Sequence, residues 1–162
     1  MTGIFSGFIR VNPSILKNPG SDSKAEGYAK QTVKEIGKMQ NIFLVKAKEN
    51  LKMAQVSFAH ECYNSCANRA YYAAFQAAVA ALADKGYKKG KFDHKWVQAE
   101  FSGKLIKRQK VYPGKLKSYL MEMQLLRNTA DYECEPVNRK DASDQLRKAA
   151  ELAGYIRKEM EK

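Results

Sequence analysis

The sequence predicts an all-α protein: an up-and-down antiparallel bundle of about four main helices plus a short helix. Three observations carry that expectation. Apolar residues recur at intervals of three and four through most of the chain after residue 40. No segment alternates apolar and polar residues between turns, as a half-buried strand would. The connections between the periodic segments are short, which favours antiparallel neighbours. At 162 residues the chain can bury a core of its own, so one domain with an appendage is expected.

Residues 1–20 carry Pro13, Pro19 and three glycines without a sustained period, and read as a loosely packed arm. Ser21, Asp22 and Ser23 are candidate caps for a weakly apolar helix behind them. Its few anchors, Tyr28, Val33 and Ile36, suggest docking on a surface. The expected division is therefore an N-terminal extension with a short helix over 1–40, and a helical bundle domain over 41–162. From Asn41 the pattern strengthens, with Leu44, Ala47, Leu51, Ala54 and Phe58 on one stripe.

The next helix, from about Tyr63 to Lys85, is rich in alanines that let a neighbour approach closely. Apolar groups on two of its sides mark it as the central helix, and Gly86 is its expected stop. Asp93 caps a short helix running towards Phe101, after which Gly103 should loosen the chain. Pro113 suits the first turn of the following helix. Pro136 closes that helix, because the residue before a proline resists helical geometry. Asn138 caps the last one, whose stripe is Leu146, Ala149, Ala153, Ile156 and Met160.

One residue breaks the pattern. Leu116, Leu120, Met123, Arg127 and Ala130 share a helical face, so a permanently charged guanidinium stands in an apolar stripe. Such a group needs a partner or a purpose. Asp131, four residues on, is the natural partner. A phosphate is the alternative.

Composition narrows the function classes. The chain is 44% hydrophobic and 28% charged, as soluble globular proteins are. No apolar run has the length of a membrane span. The apolar start is interrupted by Ser6, Gly7, Arg10 and Asn12, unlike a signal peptide, so a cytoplasmic protein is expected. Three cysteines, Cys62, Cys66 and Cys134, form no disulfide framework and read as buried small hydrophobes. With no phosphate-cradling glycine loop, HExxH or CxxC, neither a metal nor a cofactor is expected.

Net charge is +12, and +8 of it lies between Asp84 and Lys117. Such a basic protein attracts polyanions, since neutralised phosphates release counterions. Tyr87, Phe92, Trp96, Phe101 and Tyr112 interleave with the lysines and offer either stacking surface or core.

The stretches "YNSCANRAYYAAFQAAVAALADKG", "DHKWVQAEF" and "LLRNTADYE", in that order and spacing, resemble the HEPN domain (higher eukaryote and prokaryote nucleotide-binding domain). The likeness is nearest to its small stand-alone prokaryotic branch and runs from about Asn41 to the C-terminus. It implies a helical bundle that dimerises through the helices carrying the motif. It also implies RNA or nucleotide binding, and in many members metal-independent ribonuclease activity within a toxin–antitoxin or defence-type system whose antitoxin is a nucleotidyltransferase. Active members pair an arginine with a histidine about four to six residues later.

This chain supplies Arg127 and lacks the histidine, and Tyr132 stands where one could be. A phenol with a pKa of about 10 is a poor base at neutral pH. Arg127, Asp131 and Tyr132 are therefore the residues of a degenerate catalytic motif, while Arg127, Asn128, Arg69 and His94 are candidates for holding RNA or phosphate. His94 has a bland alternative as a helix-start or packing histidine, and Arg69 one as the ion-pair partner of Asp131 or Glu133. The reading is an RNA- or nucleotide-binding homodimer. The alternative is a helical module that partners a nucleotidyltransferase, without nucleic-acid binding or catalysis of its own.

Overall fold

The computed structural model describes residues 22–162, and side chains from residue 26 onward. The arm expected over 1–20 and the cap candidate Ser21 lie outside the described residues, as do the side chains of Asp22 and Ser23. Five α-helices make the bundle, and no strand occurs among the described residues. They are α1 (Asp22–Ala59), α2 (Tyr63–Asp84), α3 (His94–Glu100), α4 (Tyr119–Tyr132) and α5 (Arg139–Met160). None is long and apolar enough to cross a membrane.

Cross-helix pairs fix the directions. Phe58 packs on Tyr63, Asn50 bonds Gln76, and Gln40 Nε2 donates to Asp84 Oδ1 at 2.9 Å, so α1 and α2 run antiparallel. Asn68 meets Asp131 and Tyr72 meets Arg127, so α4 is antiparallel to α2. Cys66 lies by Ala142 and Lys85 by Glu159, so α5 runs parallel to α2. That is an up-down-up-down bundle, as the short connections predicted.

The α1 helix is one continuous 38-residue element, where the sequence suggested a weak helix and then a strong one. Nothing near residue 41 forces a break: there is no proline, and Lys38, Met39, Gln40 and Leu44 are good helix formers that offset Gly37 and Asn41. Ile36 and Gln40 are buried, so the body of the bundle extends N-terminal of residue 41. Tyr28 is not an anchor, being 71% exposed, whereas Val33 is partly buried.

The centre is α2, with fourteen buried residues, most of them alanine. Its end is a Schellman arrangement. Gly86 has φ 81°, the Gly86 amide donates to Ala83 O, and the Tyr87 amide donates to Leu82 O, both at 2.9 Å. The end of α1 uses the same bonds, Cys62 to Ser57 and Glu61 to Phe58, but puts Glu61 at φ 59°.

Asp93 caps α3 as expected, accepting from the Trp96 amide at 2.8 Å. The chain does not loosen at Gly103. It winds on as a π-helix over Phe101–Arg108, burying Phe101, Leu105 and Ile106. The wider turn keeps these three apolar side chains on the core while passing the glycine. Pro113 sits outside α4: its carbonyl accepts from the Leu116 amide at 3.1 Å to open a 3-10 turn over Gly114–Lys117, and α4 follows at Tyr119. The far end of α4 is Tyr132, with Glu133 already extended, three residues ahead of Pro136.

Asn138 caps α5 by accepting from the Asp141 amide at 2.9 Å. Ala149, Leu152 and Ile156 are fully buried, and Leu146, Ala153 and Met160 pack against the same core. Gln145, also buried, donates to Ala67 O at 3.2 Å and to Met123 O at 2.9 Å, tying α5 to α2 and α4. Satisfied in this way, the amide costs the core little and fixes the register of three helices.

Candidate functional site

The stripe is buried at Leu116 in the 3-10 turn and at Leu120 and Met123 on α4, and that face of α4 carries Arg127 at the bundle's end. The Arg127 side chain is only 16% exposed, so its charge is answered by neighbours. Nε lies 2.8 Å from Asp131 Oδ2, an ion-pair distance at which the N–H is not aligned on that oxygen. Nη1 donates to Asn128 Oδ1 at 3.2 Å, and Nη2 donates to the Tyr72 hydroxyl oxygen at 3.1 Å. The guanidinium also lies 5.5 Å from the centre of the Tyr72 ring and 5.6 Å from that of Tyr132.

Asp131 is shared. Asn68 Nδ2 donates to both of its carboxylate oxygens at 3.0 Å. Asn68 and Tyr72 are four apart on α2, and Arg127 and Asp131 four apart on α4, so two antiparallel helices present facing pairs. Neither Asn68 nor Tyr72 was marked as a partner from sequence. The signal available was that i, i+4 spacing opposite an i, i+4 ion pair.

Arg69 does not join this group. It is exposed and donates from Nη1 to Asn50 Oδ1 of α1 at 3.2 Å, so its expected pairing with Asp131 or Glu133 is corrected. The reason is helical phase: Asn68 takes the α4 side of α2, which turns Arg69 towards α1. Tyr132 is 76% exposed and meets Arg127 through its ring face.

His94, the first residue of α3, is brought to the site's other flank. Its Nδ1 lies 2.6 Å from the hydroxyl of Tyr71, and its ring packs against Tyr71, Tyr72 and Phe75. Burial pulls its pKa below the ordinary imidazole value, and the Arg127 charge adds to that, against a smaller opposing effect of Asp93. Tyr72 thus stands between His94 and Arg127.

Within the basic segment, Lys85, Lys88, Lys89, Lys104 and Lys115 have acidic partners. Lys91, Lys95, Lys107, Arg108, Lys110 and Lys117 make no ion pair among the described residues. Phe101 and Tyr112 are core, stacked with ring centres 5.4 Å apart, and Phe92 links Phe43 to Trp96. Cys66 is buried, which pushes its thiol up to about 11. Cys62 and Cys134 are exposed, contrary to the expectation that all three fill the core. Cys62 precedes α2 and Cys134 follows α4, both outside the packed helices.

The family model of the HEPN domain matches residues 41–159, and the chain belongs to the HEPN domain family. That family is generally linked to ribonuclease or nucleotide-related roles. Comparison with curated proteins gives no match.

Proposed function

We propose that the protein binds RNA or a nucleotide through Arg127 and Asn128, with the neighbouring lysines attracting the anion and a ribonuclease motif that is degenerate. The observation that carries this reading is the state of Arg127. A guanidinium has five N–H donors. The Nε–H lies beside Asp131 at ion-pair distance, one N–H goes to Asn128 and one to Tyr72, which leaves one on each terminal nitrogen. The group is oriented without being saturated, which suits a phosphate.

Catalysis has less support. Asp131 is committed to Arg127 and Asn68, and Tyr132 is exposed and meets Arg127 only through its ring face, so neither is positioned as a free general base. On α4, Met121, Leu125 and Tyr132 form an exposed apolar face that also includes Asn128, which supports a homodimer formed through this helix. We place the protein in a toxin–antitoxin or defence-type system on the strength of the family alone.

The test is retention of end-labelled cellular RNA in EDTA, beside an Arg127→Ala variant of equal stability. Retention by the parent, lost in the variant, with the RNA intact, is expected. Cleavage by the parent that the variant lacks would overturn the degenerate-motif reading. A second reading, a module that docks a nucleotidyltransferase, is favoured by a different surface. Ile42, Val45, Met53 and Val56 make an exposed apolar stripe on the side of α1 opposite the core. Failure to retain RNA or nucleotide, with tight binding of such a partner, would establish it instead.

A further inference from the structure

Between Cys66 and Ala83 every residue of α2 is buried except Asn68, Arg69, Tyr72 and Gln76. Steps of three and four put these on one helical face, so this part of α2 shows solvent a single stripe. Contacts from both flanks border it. On the α4 side Arg127 donates to Tyr72, and Asp131 accepts from Asn68. On the α1 side Asn50 accepts from Arg69 at 3.2 Å, and donates to Gln76 Oε1 at 2.9 Å and to Lys46 O at 3.0 Å. No hydrogen bond, ion pair or ring contact joins α1 to α4 among the described residues. The stripe is therefore the floor of a groove whose walls are α1 and α4. Phe92, packed on Phe43 of α1, and His94, packed on Tyr72, carry the chain across α2 at one end of it.

Both sides of the groove carry cations. Arg69 is exposed, has no acidic partner among the described residues, and spends one of its five N–H donors on Asn50. Asn50 is itself held by Gln76 and the Lys46 carbonyl, so a neutral amide orients this guanidinium and leaves its charge unanswered. Lys46 lies one turn from Asn50 on the same wall, its ammonium 5.1 Å from the centre of the Phe43 ring. It too has no acidic partner among the described residues. Asp131, the acid that borders the stripe, is taken by Arg127 and Asn68. Cations on two walls suit phosphates strung along a chain, whereas a lone nucleotide presents its phosphate at one place. The floor is one helix wide, about 10–12 Å with side chains, which gives room for one strand.

We propose that a single RNA strand lies along this groove, one phosphate held by Arg69 from the α1 side and another by Arg127 from the α4 side. This rests on the reading of Arg127 as a phosphate-binding group, and narrows its ligand from RNA or a nucleotide to a polynucleotide strand. Arg69 is the second binding residue, and Asn50 positions it. Because Arg69 is exposed, replacing it should leave the fold intact.

The experiment is fluorescence anisotropy of a labelled single-stranded RNA with the full chain, in EDTA, across a series of salt concentrations. Arg69→Gln is compared with the parent and with Arg127→Ala, their folding checked by thermal unfolding. Arg157→Gln is the control, since it removes the same charge from the last turn of α5. Arg69→Gln should bind roughly tenfold more weakly, as loss of a charged hydrogen bond implies. Its salt slope should be shallower by about 0.7, the value of one phosphate contact on a single strand. Arg157→Gln should bind almost as the parent does. Adenosine 5′-monophosphate should displace the RNA only at far higher concentration, and the same RNA annealed to its complement should bind more weakly. An Arg69→Gln protein that binds like Arg157→Gln, with Arg127→Ala weakened, would overturn the proposal and leave the Arg127 reading standing. Displacement by the mononucleotide at concentrations matching the RNA would overturn the polynucleotide assignment, and equal binding of the duplex would overturn the single strand. Binding unchanged in both arginine variants, or no binding by the parent, would overturn both readings.

Discussion

Arg127 and Tyr72 meet across α4 and α2, the guanidinium donating from Nη2 to the phenol oxygen at 3.1 Å with its charge over the ring. One turn away, Asn68 holds both oxygens of Asp131. The four residues form two rungs between antiparallel helices, and the ion pair along α4 joins the rungs.

Tyr72→Phe keeps the ring and removes the acceptor. It should lower stability by about 0.5–1.5 kcal/mol, the usual net value of such a bond. Urea unfolding of parent and variant measures it. The same substitution made in an Asn68→Ala background should cost a different amount, because both rungs act through one ion pair.

Asp131→Asn separates stability from binding. The amide loses the charge that offsets Arg127, and destabilisation of about 1–3 kcal/mol is expected from a poorly answered, mostly buried cation. The freed guanidinium should bind RNA more tightly than the parent's. Fluorescence anisotropy with a labelled RNA would show the gain, and weaker binding would mean that Asp131 itself contacts the ligand.

The two helix ends make opposite predictions. Glu61 holds the left-handed position that Gly86 holds at the end of α2, with φ 59° and 81°. Glu61→Gly should stabilise by up to about 1 kcal/mol, less the exposed Glu61–Arg139 contact. Gly86→Ala should destabilise by about 1–2 kcal/mol. Thermal unfolding of the two variants checks both signs.

His94 makes stability depend on pH. Its pKa in the folded protein is lowered from the ordinary value of 6.5, first by burial and then by Arg127. The unfolded chain therefore binds a proton first as pH falls, and stability contributed by the neutral ring is complete above about 6.5 and is lost below it. Relative to the parent, His94→Gln should lose less stability between pH 7 and pH 5. A parallel pair of unfolding curves would show that the ring is not held neutral.

Much of the fold was legible because it rests on local rules. Asp93 and Asn138 cap as their residue types dictate, Gly86 stops α2, and the alanines of α2 announce a central helix. What escaped was set by tertiary packing. The run from Asp22 to Ala59 is one helix because Ile36 and Gln40 find partners, which composition does not reveal. Gly103 passes through a π-helix because Leu105 and Ile106 have a core to reach. In the site, Arg127 and Asp131 were visible as an i, i+4 pair, while Tyr72, Asn68 and the Tyr71–His94 bond depend on how α2, α3 and α4 face one another.

The central claim is that Arg127 is a phosphate-binding group. Its most direct test is RNA affinity measured across a series of salt concentrations for the parent and for Arg127→Ala, with folding of both verified. The account predicts a steep loss of affinity with salt in the parent, and in the variant a weaker affinity whose salt slope is shallower by about one phosphate contact. Equal affinity and equal slope in the two proteins would contradict it.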